Sequence, residues 1–175
     1  MTSSRIAEFQ HLEQLGEASG FVEEIHDVVK ALKIFEGFTL VDYCLFCEYM
    51  VCFGAAKDAT ILTEDAVGDF LVIILTGEVA VLKTSAPGEK KLVARVGPGG
   101  FLGELSLIDG QYRFASCVAT QPTDFAVLTR DKLNAILLEH PYLGTKVLLL
   151  LLQLMSSRLR DATTRMLPTL VSEAI

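Results

Sequence analysis

The hydrophobic period of the chain changes near residue 59 and again near residue 130, and this most constrains its fold. Between those points ATIL, DFLVIIL, EVAVLK, KLVARV, RFASCVAT and DFAVLT are short, rich in β-branched residues, and separated by Asp, Gly and Thr. Several short strands at close spacing predict an all-β sandwich or roll of about eight strands. LVIIL-TG-EVAVL predicts a hairpin turning near Thr76-Gly77, and SAPGEK, residues 85–90, predicts a polar turn.

Helical periods flank this region. Ile6, Phe9, Leu12 and Leu15 predict a first helix, and Val22, Ile25, Val29 and Leu32 a second that Gly37 closes. TLVDYCLFCEYM, residues 39–50, predicts a short helix with Thr39 as N-cap. After Arg130, DKLNAILLEH predicts another, and a long helix is expected from about Leu143 to Leu167, with Pro168 as its stop. That helix carries Leu148, Leu152, Met155, Leu159, Ala162 and Met166 at 4-3-4-3-4 spacing, a coiled-coil seam. Val147, Leu150, Leu151 and Leu154 form a second apolar face. Two faces call for two partners, the chain's own β-roll and a second copy; the alternative is that one chain buries both. The expected organisation is a helical extension (1–35), a β-roll (36–141) containing a ligand loop at 97–117, a long helix (142–167) and a tail (168–175).

The chain has 175 residues, 51% of them hydrophobic and 21% charged, which is enough for a packed core. A net charge of −7 argues against non-specific phosphate-backbone binding. VLLLLLQLM, residues 147–155, is the greasiest run and falls short of the roughly 18 apolar residues of a membrane span. The polar start MTSSRIAEFQHLEQ has no signal-peptide core, so the four cysteines are expected as cytoplasmic thiols.

GPGGFLGELSLIDGQYRFAS is where chemistry concentrates. Gly97, Gly99, Gly100 and Gly103 let the backbone approach a ligand closely. Residues 103–107 can form one helical turn whose free N–H groups suit an anion. Arg113 adds a fixed planar cation, and Glu104 accepts hydrogen bonds from hydroxyls. An anion site beside a hydroxyl site describes a sugar phosphate. The plain alternative is a Glu104–Arg113 salt bridge across a turn.

FLGELSLIDGQYRFAS resembles the phosphate-binding cassette of cyclic nucleotide-binding domains, as in catabolite activator proteins and regulatory subunits of cyclic-AMP-dependent kinase. The resemblance extends over about residues 35–165 and includes DAVGDFLVIILTGEVAVLK and the long helix. It implies an α+β, mainly β fold, a jelly-roll-like double-stranded β-helix between N-terminal helices and a long C-terminal helix. It also implies that Glu104 binds the ribose 2′-hydroxyl and Arg113 the cyclic phosphate. Leu102, Gly103, Leu105, Ser106, Phe114 and Ala115 would complete the cassette, and Thr163 and Thr164 would face the base. Phe114 stands where kinase-type cassettes carry Ala or Thr. Without a hydroxyl there to read guanine, cyclic AMP is the expected ligand rather than cyclic GMP. Tyr112 stands where proline is common.

Cys44-x-x-Cys47 with Cys52 nearby lacks a second pair for a zinc site, and His26 is the nearest histidine; buried core thiols are expected. His11, His26 and His140 lie outside the strands, which argues against a metal-binding cupin. No nucleophile elbow, Walker loop or His-Glu-x-x-His is present, so no enzyme is expected. With eight residues after Leu167, no DNA-binding module is expected. The expectation is a homodimeric cytoplasmic sensor that signals through its long helix or an unnamed protein partner. The alternatives are a constitutive interaction scaffold and an inherited fold whose pocket is inactive or reads another ligand.

Overall fold

DFLVIIL is apolar at successive positions, so a strand made from it needs cover on both faces. The structure, a computed structural model describing residues 9–30, 35–86 and 88–172 with side chains as far as residue 166, provides that cover. Phe70, Val72 and Ile74 pack between two sheets, and Leu71 and Ile73 pack with a helical layer. The strands in chain order are β1 (Glu13–Glu17), β2 (Val51–Ala55), β3 (Thr60–Leu62), β4 (Phe70–Ile74), β5 (Val79–Ala86), β6 (Glu89–Val96), β7 (Phe101–Leu102), β8 (Ser116–Ala119) and β9 (Thr123–Thr129). The helices are α1 (Val22–Val29), α2 (Leu40–Cys47), α3 (Glu104–Asp109), α4 (Arg130–Glu139) and α5 (Pro141–Ser172). One antiparallel sheet has the order β1-β2-β9-β4-β7 and the other β3-β8-β5-β6. This is the jelly-roll-like, mainly β architecture with helical flanks.

Between the sheets, the ring centroid of Phe9 lies 4.9 Å from that of Phe53, 5.0 Å from Phe70 and 5.7 Å from Phe125. Outside the five-stranded sheet, Ile25, Val29, Phe46, Leu133, Ile136, Leu143, Val147, Leu150 and Leu151 form the helical layer. Thr39 caps α2 as expected: its hydroxyl accepts from Asp42 N, while its own N–H donates to Asp42 Oδ2 at 2.7 Å. Lys146 on α5 also reaches Asp42 Oδ2 at 2.7 Å, tying the long helix to α2.

Four expectations are corrected. The segment read as a first helix holds a strand, because Glu13–Glu17 pairs with β2 around a register shift between Gln14 and Gly16; Ile6 of that segment, and Leu32 of the second helix, lie outside the described residues. LVIIL and EVAVL do not pair. The N–H groups of Leu75 and Thr76 both donate to Asp124 O, and Thr120 N donates to Glu78 O, so the chain turns from one sheet into the other. β4 pairs with β7 and β9, and the hairpin partner of β5 is β6. Pro168 does not stop α5, which runs through it to Ser172; proline removes one donor but its φ suits a helix. Cys44 is exposed, because α2 buries the face of Tyr43, Phe46 and Cys47; Cys47, Cys52 and Cys117 are buried.

α5 begins at Pro141, where a missing N–H removes no intrahelical bond. Its first three turns are inserted in the helical core, whereas residues 156–166 are exposed. Of the expected seam, Leu148, Leu152, Ala162, Leu159 and Met166 are exposed and Met155 is half-buried. Among the described residues, no helix is long and apolar enough to cross a membrane.

Candidate functional site

Gly103 ends β7 and caps α3 at φ +77°, a conformation that side chains disfavour. Gly110 closes the helix at φ +72°. This six-residue helix is held at both ends by arginines. Arg113 Nη1 donates to Gly103 O and Phe70 O, each at 2.9 Å. Arg130 Nε donates to Leu107 O at 2.8 Å, a carbonyl at the helix end, and its Nη2 donates at 2.6 Å to Ser106 O, which also accepts from Gly110 N.

Arg113 is 2% exposed, and its Cζ lies 4.2 Å from the centroid of the Phe70 ring. Its seat depends on Gly68. A Cβ there would lie 2.0 Å from Arg113 Nε and 2.2 Å from Cζ. The loop before β4 and the cassette are joined by backbone bonds, Arg113 N to Ala66 O at 2.9 Å and Asp65 N to Arg113 O at 3.0 Å.

Glu104 is 1% exposed and pairs with Arg158 of α5, whose guanidinium also donates to Phe101 O. The salt-bridge alternative therefore has a different cation from the one the sequence suggested. Glu104 Oε2 is buried with no hydrogen-bond partner among the described residues. Such an orphan acceptor is costly, on the order of 1–3 kcal/mol, unless a donor arrives.

These groups line one cavity of about 490 Å³, within the range of small-molecule sites. Leu102, Gly103, Glu104, Leu105, Ser106, Arg113, Phe114 and Ala115 all contribute to it. Val81, Val93, Ala94 and Val96 supply an apolar wall, and Cys117 lines it with a thiol that burial pushes up to about 12. α5 supplies Arg158, Asp161, Ala162 and Arg165.

Thr163 and Thr164 are not among the lining residues. Their hydroxyls turn back to Leu159 O and Arg160 O at 2.8 and 2.9 Å. The cavity face of α5 instead runs through residues 158, 161, 162 and 165, so the threonines lie one or two positions off it. That i, i+3, i+4, i+7 spacing was present in the sequence, but without β-roll coordinates nothing distinguished this face from the others. Gly68 and Arg130 were also missed, since their importance comes from what lies against them. Among the described residues no group of three or more His, Cys, Asp or Glu is placed to hold a metal ion.

Residues 55–140 match the family model for the cyclic nucleotide-binding domain, a ligand-binding regulatory domain rather than a catalytic one. A cyclic nucleotide-binding domain from Methylobacillus flagellatus KT is 46% identical and superposes with a TM-score of 0.82, covering 90% of this chain and 89% of that one. The catabolite activator protein of Thermus thermophilus superposes with a TM-score of 0.68 at 27% identity, over 79% of this chain and 62% of that one. The cyclic AMP receptor protein of Thermus thermophilus is 28% identical over 134 residues, 77% of this chain. The chain spans 60% of that relative's length, and 43% of the CRP-like cAMP-activated global transcriptional regulator of Mycobacterium tuberculosis. On fold, cassette and these likenesses, the chain belongs to the cyclic nucleotide-binding domain family.

Proposed function

We propose that this domain is a cyclic nucleotide sensor that takes cyclic AMP in preference to cyclic GMP. The observation that carries the reading is the buried Oε2 of Glu104, without a hydrogen-bond partner among the described residues, in a cavity that Arg113 also lines. Glu104 accepts a ribose hydroxyl, supplying the donor its free oxygen lacks. Arg113 neutralises the phosphate, while backbone N–H groups around Gly103, Ser106, Phe114 and Ala115 cradle it. Phe114 has no hydroxyl to offer guanine, and the named relatives include a cyclic AMP receptor protein.

The output travels through α5. Leu107 of the cassette already belongs to the core that holds the first turns of α5, while Leu105 and Ile108 are exposed. Residues 156–166 are exposed apart from their share of the cavity wall. A ligand that bridges the cassette and this wall interacts with them jointly, which supplies the differential affinity a switch requires. Leu148, Leu152, Leu159 and Met166 then form the seam of a homodimer, with Met155 at its edge.

The test is calorimetric titration of nucleotide-stripped protein with cyclic AMP and cyclic GMP, with Arg113→Ala alongside. Saturable binding of cyclic AMP, tighter than cyclic GMP and lost in the variant, supports the reading. No binding at millimolar nucleotide refutes it and favours the scaffold alternative. For the dimer, light scattering should show that Leu152→Lys with Leu159→Lys converts a two-chain particle into a monomer.

A further inference from the structure

Phe114, the cassette's departure from the small residues usual after the arginine, is held from outside the cavity. Lys83 on β5 donates from Nζ to the Phe114 carbonyl at 2.8 Å and lies 4.7 Å from the Phe114 ring centroid. The same ammonium is 2.7 Å from Glu64 Oε1. Glu64 is fixed in turn: its Oε2 accepts from Thr84 N at 2.9 Å and Thr84 Oγ1 at 2.8 Å, and its own N–H donates to Ser116 Oγ at 3.1 Å. Neither Lys83 nor Glu64 lines the cavity, whereas Phe114 and Ala115 both do.

A trans peptide is planar, and its C=O and N–H point in opposite directions. No described peptide bond is cis. Lys83, outside the lining, holds the Phe114 carbonyl, so the N–H of Ala115, a residue that lines the cavity, is turned to the side opposite Lys83.

We propose that Lys83, braced by Glu64, is a positioning residue that aims the Ala115 N–H at the anionic group of the ligand. The inference rests on the reading of the cavity as a cyclic nucleotide site. Lys83 contacts no ligand. It sets the orientation of one cradle amide before the ligand arrives, so that no reorientation is needed on binding. The Lys83–Phe114 ring contact adds to the hold on the lysine, which gives the departure a role: the residue that removes a hydroxyl from the pocket also helps to seat the lysine.

The test compares wild type with Lys83→Met, Lys83→Arg and Glu64→Gln, titrating each with cyclic AMP and with adenosine, which has the base and ribose but no phosphate. Amide shifts of ¹⁵N-labelled protein are followed in parallel. Lys83→Met should bind cyclic AMP about tenfold more weakly, the loss of one misaimed hydrogen bond to an anion. Its adenosine affinity should be unchanged, and Lys83→Arg, which keeps a donor, should stay within about twofold of wild type. The Ala115 amide should shift with cyclic AMP and not with adenosine. If Lys83→Met matches wild type, loses both ligands equally, or leaves the Ala115 shift intact, the positioning role is overturned while the nucleotide reading stands. If wild type itself binds neither ligand, the nucleotide reading fails and takes the positioning role with it.

Discussion

Gly68→Ala gives the sharpest test of how the cavity is assembled. The substitution changes nothing charged, and Gly68 lies outside the left-handed region, so the backbone accepts alanine without strain. Its added carbon would lie 2.0, 2.2 and 2.4 Å from Arg113 Nε, Cζ and Nη2. Three guanidinium atoms are overlapped at once, so the group must shift. Departure breaks the bonds from Nη1 to Phe70 O and Gly103 O, each at 2.9 Å. Bonds from a charged donor contribute about 1.5–3 kcal/mol each, and a partial shift that kept them would cost about 1–3 kcal/mol in overpacking. The expected loss is therefore about 3 kcal/mol, or about 9 °C in Tm for a chain of 175 residues. Because the displaced group is the proposed phosphate cation, cyclic AMP should bind roughly a hundredfold more weakly, as when one member of a buried charge pair is lost. Scanning calorimetry and isothermal titration measure the two quantities. Gly20→Ala, where an added carbon meets nothing within 4 Å, is the neutral control. A Gly68→Ala protein as stable as that control, with wild-type affinity, would falsify the claim that this glycine seats the arginine.

Other predictions concern the surroundings of the site. Arg158→Met should raise amide hydrogen exchange across residues 156–166 and leave residues 143–151 unchanged, since the latter are anchored by the apolar core rather than by the pair with Glu104. The Glu64 carboxyl is held down at about 2, chiefly by the Lys83 hydrogen bond and then by the Thr84 N–H and hydroxyl. A depressed carboxylate contributes stability above its unfolded value of 4.5 and loses it as pH falls toward 2. Urea midpoints of wild type and Glu64→Gln should therefore differ at pH 6 and converge by about pH 2; a gap independent of pH would show that the charge is not what matters. Burial pushes Cys47, Cys52 and Cys117 up to about 12, 11 and 12. At pH 8 iodoacetamide should label Cys44 alone in the folded protein and all four thiols in urea, as read by peptide mass spectrometry.

Some of this architecture was legible because it is local. Thr39 and Asp42 form their capping box from residues three apart, and the cassette's glycines mark both ends of α3. Leu102–Ser106 and Arg113–Ala115 line the cavity together because one short loop carries both stretches. The failures share a different cause. LVIIL-TG-EVAVL has the pattern of a hairpin, but that pattern records only that two strands are joined by a tight turn. Whether they pair was decided by Asp124, which takes the turn's amides from 48 residues away. Glu13–Glu17 ends a segment whose Ile6, Phe9, Leu12 and Leu15 have helix-like spacing, and it pairs as a strand with the edge of β2.

By itself the sequence determined the alternation of strand and helix, the doubly buried character of β4, and the presence of an acceptor and a cation within one glycine-rich loop. These follow from periodicity and residue chemistry, which act over a few positions. Tertiary structure alone decided that Arg158, rather than Arg113, meets Glu104. It also decided that α5 turns residues 158, 161, 162 and 165 to the cavity rather than its threonines, and that Lys83 reaches the cassette from another strand. Each depends on the rotation or register of an element set by distant packing, and a one-residue change in register moves a side chain by about 100° around a helix or to the opposite face of a sheet.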